Sequence, residues 1–396
     1  MGRLSLTLVF SIISLAGSFA FAQKVNPDDN AALESKIEQL WQDSSRAFYS
    51  PKSNLFYTAP LARIPSPAEI AELKPLKKNG MTNWHGGGSG IEDCSMLGGI
   101  VLAGLCDRYE VLKDADSKSR AAALFKGLVL AATAHGDEGF IARGVSPDDC
   151  KSVYPGSSRD QYTHSIHGMW RYYRSPMSSS AEKAQIRKIF SAVADKMTRE
   201  VREDGNPPYS FKFYKGMPDD RGVGKMLDVY PHEAARLAMF YAAAYDVTKK
   251  SEYFELYRKH LPYALTRTAE LPQMPEKKMR SYVPAYSILQ MEASLELLYV
   301  VEKNKKLKKQ IGGLMDMLAE FVENSPVFDL SKRKYARDCA EVINGQLLSP
   351  GYKLTPKHEK ILRGCIARVS GSHDSGSSYT LLAAYWRARL EGKLNP

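Results

Sequence analysis

From about Asp29 onward, apolar residues recur at helical spacing almost without interruption, and the connections between helical segments alternate between short and long. Helices are expected over 30–50, 91–112, 117–135, 158–174, 180–203 and 231–248, then 251–269, 284–302, 305–324, 335–346, 356–369 and 377–391. Strand-like runs are few: GFIARGV at 139–145 and YSFKFYK at 209–215 read as short loop hairpins. The polar turns KDADSK, RSPMSS, TKKS and EKNK each join two consecutive helices, whereas 51–90, 136–157 and 204–230 are long. Loops of that length inside a compact domain are usually functional. Helical hairpins standing side by side produce this alternation and place the long loops on one face. Twelve such helices can close into an all-α (α/α)6 toroid, with alternate helices forming an inner ring.

The 396 residues are 44% apolar and 25% charged, enough for a substantial core. No linker or shift in composition divides 23–396, so one domain is expected. Residues 1–22 are a separate object. Arg3, an apolar run and Ala20-Phe21-Ala22 form a secretory signal peptide, with an uncleaved anchor as the alternative. Nothing later is apolar enough to span a bilayer, and an exported, secreted or periplasmic protein is expected. The net charge of +11 then points to an acidic oligosaccharide or polysaccharide, or serves solubility alone. No nucleic-acid motif, phosphate loop, dinucleotide fingerprint or G-x-S-x-G elbow occurs, so neither nucleic acid nor a nucleotide cofactor is expected. Five cysteines contain no C-x-x-C; Cys106 reads as a core thiol, and a Cys339–Cys365 bridge is one option.

Each expected inner helix is entered through a loaded loop: HGGGSGIED (85–93), YPGSSRDQ (154–161), LDVYPHE (227–233), RSYVPAYS (280–287), KRKYARD (332–338) and SGSHDSGSS (370–378). Helix N-termini expose unpaired N–H groups and partial positive charge. Six of them converging would form a funnel suited to an acidic sugar. Capping explains the glycines and serines but not the tyrosines and histidines.

Paired helices with loaded N-terminal loops resemble the (α/α)6 toroid of the six-hairpin glycosidase superfamily. The exported uronate-acting enzymes, such as the unsaturated glucuronyl hydrolases, are nearest in kind. GSGIEDCSMLGG, ARGVSPDDC and SSRDQYTHSIHGMWRYY look like signatures of exported members. The hydrolases' two-aspartate pattern does not overlay on this chain residue by residue. The resemblance implies a glycoside hydrolase using two carboxylates on an acidic glycan.

The segment from Gly156 to Tyr173 carries the densest chemistry. Ser158 as N-cap puts Gln161 at N3 in a capping box, and Asp160 in the first turn, where the dipole favours a carboxylate. Tyr162, Ile166, Met169 and Tyr173 share one face; Asp160, His164, His167, Arg171 and Arg174 share the other. The dipole and Arg159 favour Asp160 as base or nucleophile. Its partner in glycoside hydrolysis is sought among Glu92, Asp93, Asp148, Asp149 and Glu233. Asp93 is preferred, because Ser89 and Glu92 fit a capping box of their own. The catalytic candidates are therefore Asp160, Asp93 and His164. Binding candidates are Trp84 and His85 as an aromatic platform, Arg143 as a carboxylate clamp, and Glu92, Asp149, Arg159, Tyr162, His167, His232, Glu233, His373 and Asp374. His164 and His167 lack the company of a metal motif, so no metal is expected. Two rival readings are a uronate lyase using Tyr162, His164, His232 and Arg143, and a non-catalytic glycan-binding toroid.

Overall fold

The computed structural model describes residues 25–72, 76–78, 81–83, 89–154, 157–201, 226–371 and 375–394. Its helices are α1 (Asn30–Phe48), α2 (Pro67–Glu72), α3 (Cys94–Leu112), α4 (Ala115–Thr133), α5 (Arg159–Arg174), α6 (Ser180–Glu200) and α7 (Arg236–Thr248), followed by α8 (Ser251–Thr268), α9 (Glu276–Tyr282), α10 (Tyr286–Val301), α11 (Lys305–Asn324), α12 (Ala336–Gln346), α13 (Pro356–Arg368) and α14 (Ser375–Leu390). Packing closes six of them into a ring: α3 on α5, α5 on α7, α7 on α10, α10 on α12, α12 on α14, and α14 back on α3. Outside it, α4 covers α3 and α5, α6 covers α5 and α7, and α8 covers α7. Helix α11 covers α10 and α12, α13 covers α12 and α14, and α1 closes over α13 and α14. This is the (α/α)6 toroid.

The two rings differ in sequence for a physical reason. An inner helix has neighbours on both sides, so α3 is buried continuously from Cys94 to Arg108 and is apolar nearly all round. An outer helix buries one stripe; α11 buries Ile311, Leu314, Met315, Leu318 and Val322 and leaves its lysines outside. Helices α3 and α5 approach closely at two glycines. A Cβ on Gly99 would lie 2.1 Å from the His164 carbonyl oxygen, and one on Gly168 2.3 Å from the Gly99 carbonyl oxygen.

Three expectations change. The run 139–145 is an irregular segment packed against α3, α4 and α5 and, among the described residues, joins only the bridge Val145–Val153. Helix backbone and side chains together take the places a partner strand would fill: Ala142 N–H donates to the Ala131 carbonyl of α4 at 3.0 Å. Ile141 N–H donates to Tyr162 Oη at 3.0 Å, while Ser95 and Ser157 hydroxyls donate to the Ala142 and Ile141 carbonyls at 2.5 Å each. The helix expected from 231 begins as a 3-10 turn, Pro231–Glu233, and becomes α-helical at Arg236. Two hairpins escaped the periodicity because their strands are so short: β1 (Tyr49–Ser50) with β2 (Leu55–Phe56), and β3 (Leu76–Lys78) with β4 (Met81–Asn83). The run 209–215, the signal segment 1–22, Trp84, His85, His373 and Asp374 lie outside the described residues. Among the described residues, no helix is long and apolar enough to cross a membrane. Cys339 and Cys365 are both buried and unbridged, and Cys106 is a buried core thiol.

Candidate active site

The strict inner–outer alternation starts every inner helix at the same end of the ring. Contacts between those starts establish the convergence. Gln161, in the first turn of α5, reaches across to the start of α3. Its Oε1 accepts from Met96 N–H at 2.8 Å, and its Nε2 donates to Asp93 Oδ1 at 2.9 Å and to the Glu92 carbonyl at 3.2 Å. Asp160 pairs with Arg236 at the start of α7 (3.2 Å), and Arg337 N–H at the start of α12 donates to Ser377 Oγ at the start of α14.

The expected capping box at α5 therefore does not form. Ser158 occupies the N-cap, but its buried hydroxyl has no hydrogen-bond partner among the described residues, and the Gln161 side chain caps the neighbouring helix instead of its own. Likewise Ser89 Oγ donates to Glu92 Oε2 at 2.9 Å, yet α3 begins only at Cys94, with Asp93 as its N-cap.

Two cavities open at this mouth. The larger, about 490 Å³, is lined by Asp93, Asp160, Arg143, Tyr286, Arg337 and Glu341, among others. The second, about 170 Å³, holds Asp160 again, with Arg159, His232, Glu233, Arg236 and Tyr230. Asp160 thus borders both. Arg143 is delivered by the 139–145 segment, whose backbone is tied to α3 by Ser95 N–H donating to the Arg143 carbonyl at 3.0 Å. Its Nη2 donates to Asp93 Oδ1 at 3.2 Å, while its Nε and Nη1 have no hydrogen-bond partner among the described residues. Glu233 is clamped by Arg159 at 2.8 Å and Arg236 at 3.5 Å.

Glu341, one turn into α12, was not among the sequence candidates. Burial drives its carboxyl up to about 7, against the pull of Arg337 and with Asp338 and Asp93 adding repulsion. Its Oε1 accepts from Arg337 Nε at 2.9 Å. KRKYARDCAE offered one signal: a glutamate one turn past Arg337 and Asp338 of a loaded entry loop, on the same helix face as both. Tyr286 and Arg337 lie within the expected entry segments 280–287 and 332–338 but were not singled out, and Arg236 lies three residues past the segment 227–233.

Other candidates sit elsewhere. Tyr162 is fully buried; its hydroxyl donates to the Gly139 carbonyl at 2.9 Å and accepts from Ile141, pinning the 139–145 segment below the mouth. Asp149 accepts from the Lys151 and Ser152 N–H groups at 2.9 Å and from Ser152 Oγ at 2.7 Å, which closes its own turn. His164 is buried beneath Asp160, and burial, reinforced by His167, holds it down at about 3, so it is neutral. His232 is buried too, held down at about 4 by burial, and its ring lies parallel to Tyr230 at 6.0 Å. Tyr230 in turn stacks on Tyr282 at 4.9 Å, and both rings are exposed.

His167 belongs to a deeper feature. Its Nε2 lies 2.6 Å from Glu296 of α10, across the ring. Arg171 of α5 joins Glu296 (2.8 Å) to Asp107 of α3 (2.5 Å), and Arg387 of α14 contacts both acids, at 3.5 and 3.0 Å. Burial alone would raise the Glu296 carboxyl, but Arg171, Arg387 and His167 hold it well below the usual range. At 1.5 Å per residue, this hub lies roughly 15–20 Å below the mouth and closes the ring axis.

Among the described residues, no group of three or more His, Cys, Asp or Glu is placed to hold a metal ion. No family model matches the chain, and no curated protein does. Solved structures with a similar chain course include an unsaturated glucuronyl hydrolase specific for heparin, at 12% identity and a TM-score of 0.49, covering 92% of this chain and 97% of that one. An α-1,6-mannanase of Salegentibacter sp. HEL1_6 matches at 10% identity and 0.49, covering 90% and 99%. A sugar epimerase from a ruminal bacterium matches at 9% and 0.45, covering 85% of each chain. These likenesses are of chain course; the toroid itself rests on the closed ring of helix contacts.

Proposed function

We propose that this chain is an exported glycoside hydrolase acting on an acidic glycan, with Glu341 as proton donor and Asp160 as the carboxylate that activates water or attacks the sugar. The observation that carries this reading is a buried carboxyl titrating near neutrality in the same cavity as two carboxylates. Hydrolysis needs a group still protonated near pH 7 to protonate the leaving oxygen, and an ionised one opposite it. Glu341 suits the first task. Asp160, ion-paired with Arg236, suits the second. Asp93 receives hydrogen bonds from Gln161 and Arg143, so it acts as an acceptor that orients Arg143, and it adds a small repulsion to the burial that keeps Glu341 protonated. Arg143 and Arg337 supply cationic walls for a uronate carboxylate. The exposed Tyr230–Tyr282 pair offers a flat apolar face to a sugar ring next to the smaller cavity.

The lyase reading loses support at Tyr162 and His164, whose side chains lie below the cavities. The test is a screen of acidic oligosaccharides with two readouts. A new reducing end without ultraviolet absorption supports hydrolysis; an absorbing unsaturated uronate would mean elimination; neither product on any substrate would leave a binding toroid.

A further inference from the structure

A concavity of about 1110 Å³ lies outside the ring mouth, between α13 and the loop entering α12. We infer that it is a docking groove for the extended chain of an acidic polysaccharide, leading the polymer past Tyr335 into the central cavity. The inference rests on the proposed glycan-acting function and adds a subsite that the ring mouth does not contain.

Three observations carry it. First, the groove is cationic by construction. Lys357, Lys360 and Arg368 follow one face of α13 at steps of three and eight, with Gly364 leaving the strip between them bare. Arg333 and Lys334 line the facing loop. The acids along the groove are Asp28 and Glu359, and Glu359 is held by Arg363 Nη2 at 2.9 Å and Nε at 3.0 Å. Lys357 stands in the first turn of its helix, where the dipole disfavours a cation, so local helix stability does not explain it. Second, the groove and the central cavity share Tyr335, whose side is 59% exposed. A chain lying in one can pass directly into the other. Third, α13 has thirteen residues, giving the strip a length of about 20 Å, the scale of an oligosaccharide rather than a single sugar. Cations in a row over that length match a polymer bearing a negative charge on successive units, and neither a neutral glycan nor a small anion would use them all.

The experiment compares binding of polygalacturonate, dextran sulfate and neutral dextran by the full chain, its Lys334→Glu/Lys357→Glu/Lys360→Glu variant, and a control, Lys303→Glu/Lys306→Glu/Lys309→Glu. The control makes the same charge change at the α10–α11 turn, on the opposite end of the ring. The wild type should bind at least one acidic polymer about tenfold or more tighter than dextran at low salt, with the preference fading as salt rises. Which acidic polymer wins distinguishes carboxylate from sulfate as the recognised group. The groove variant should lose about tenfold while the control stays close to wild type. Equal losses in both variants would reduce the effect to net charge, and equal affinity for dextran would remove the charge argument; either result overturns the groove. A Glu341→Gln protein should keep polymer binding. If it also keeps full turnover, the proposed acid is wrong while the groove stands.

Discussion

Glu341 and His164 are both buried and titrate in opposite directions, which gives stability a defined pH dependence. Glu341 ionises near 4.5 when unfolded and near 7 when folded. Between those values the folded state holds the extra proton, so stability is full below 4.5 and declines as pH rises toward 7, by at most on the order of 3 kcal/mol. His164 protonates near 6.5 when unfolded and near 3 when folded. Its contribution is present above 6.5 and is lost as pH falls toward 3. Denaturant titrations of Glu341→Gln and of the wild type from pH 4 to 8 should therefore show the variant gaining on the wild type as pH rises, by up to on the order of 3 kcal/mol. A constant difference between the two proteins would show that Glu341 is not protonated in the fold. Neither shift was legible in the sequence. His164 was read correctly as lying one turn below Asp160, but burial depends on α3 closing over it at Gly99. The rise at Glu341 depends first on its burial in the closed ring, with Asp338 and the sequence-distant Asp93 adding repulsion.

At the scale of elements, the helix boundaries were legible and the bonds between helices were not. Periodicity placed the twelve long helices within a few residues of their observed ends, because each buries a stripe or a whole surface. The S-x-x-Q pattern at Ser158 also matched, but the physics went elsewhere: Gln161 caps α3 instead of its own helix. Gln161→Ala should thus destabilise the protein by about 1–3 kcal/mol, since it leaves Met96 N–H without its buried acceptor and Asp93 with Arg143 as its remaining donor among these two. A loss below about 0.5 kcal/mol in equilibrium unfolding would mean that water replaces the amide. Helix packing makes a harsher demand at Gly99. Gly99→Ala must push α3 away from the His164 carbonyl, and a loss of about 1–3 kcal/mol or more is expected, with the mouth distorted as well. The melting temperature and the turnover of this variant should fall together.

For the whole molecule, the ring needs something at its axis, and here it is an ionic hub instead of an apolar plug. Arg171 and Arg387 balance Asp107 and Glu296, with His167 bonded to the latter. Four inner helices supply these groups, so the hub ties the ring across its diameter. Removing one cation strands a buried acid: Arg171→Met should cost about 3–5 kcal/mol, nearly independent of salt. A cost under about 1 kcal/mol would mean that the ring is held by its apolar contacts alone. Sequence showed His167 and Arg171 on the polar face of one helix and could not show that Glu296 waited opposite. Above the hub, the mouth brings together Asp160, Asp93 and Glu341 from three separate helices, and the proposed chemistry depends on that meeting. The pH–rate profile of Glu341→Gln against wild type, on a glycan that the wild type cleaves, addresses it most directly. Wild-type activity should fall on the alkaline side with a midpoint near 7, and the variant should turn over roughly 10²–10⁴-fold more slowly with that limb absent. A folded variant with wild-type turnover and an unchanged alkaline limb would remove Glu341 from the chemistry.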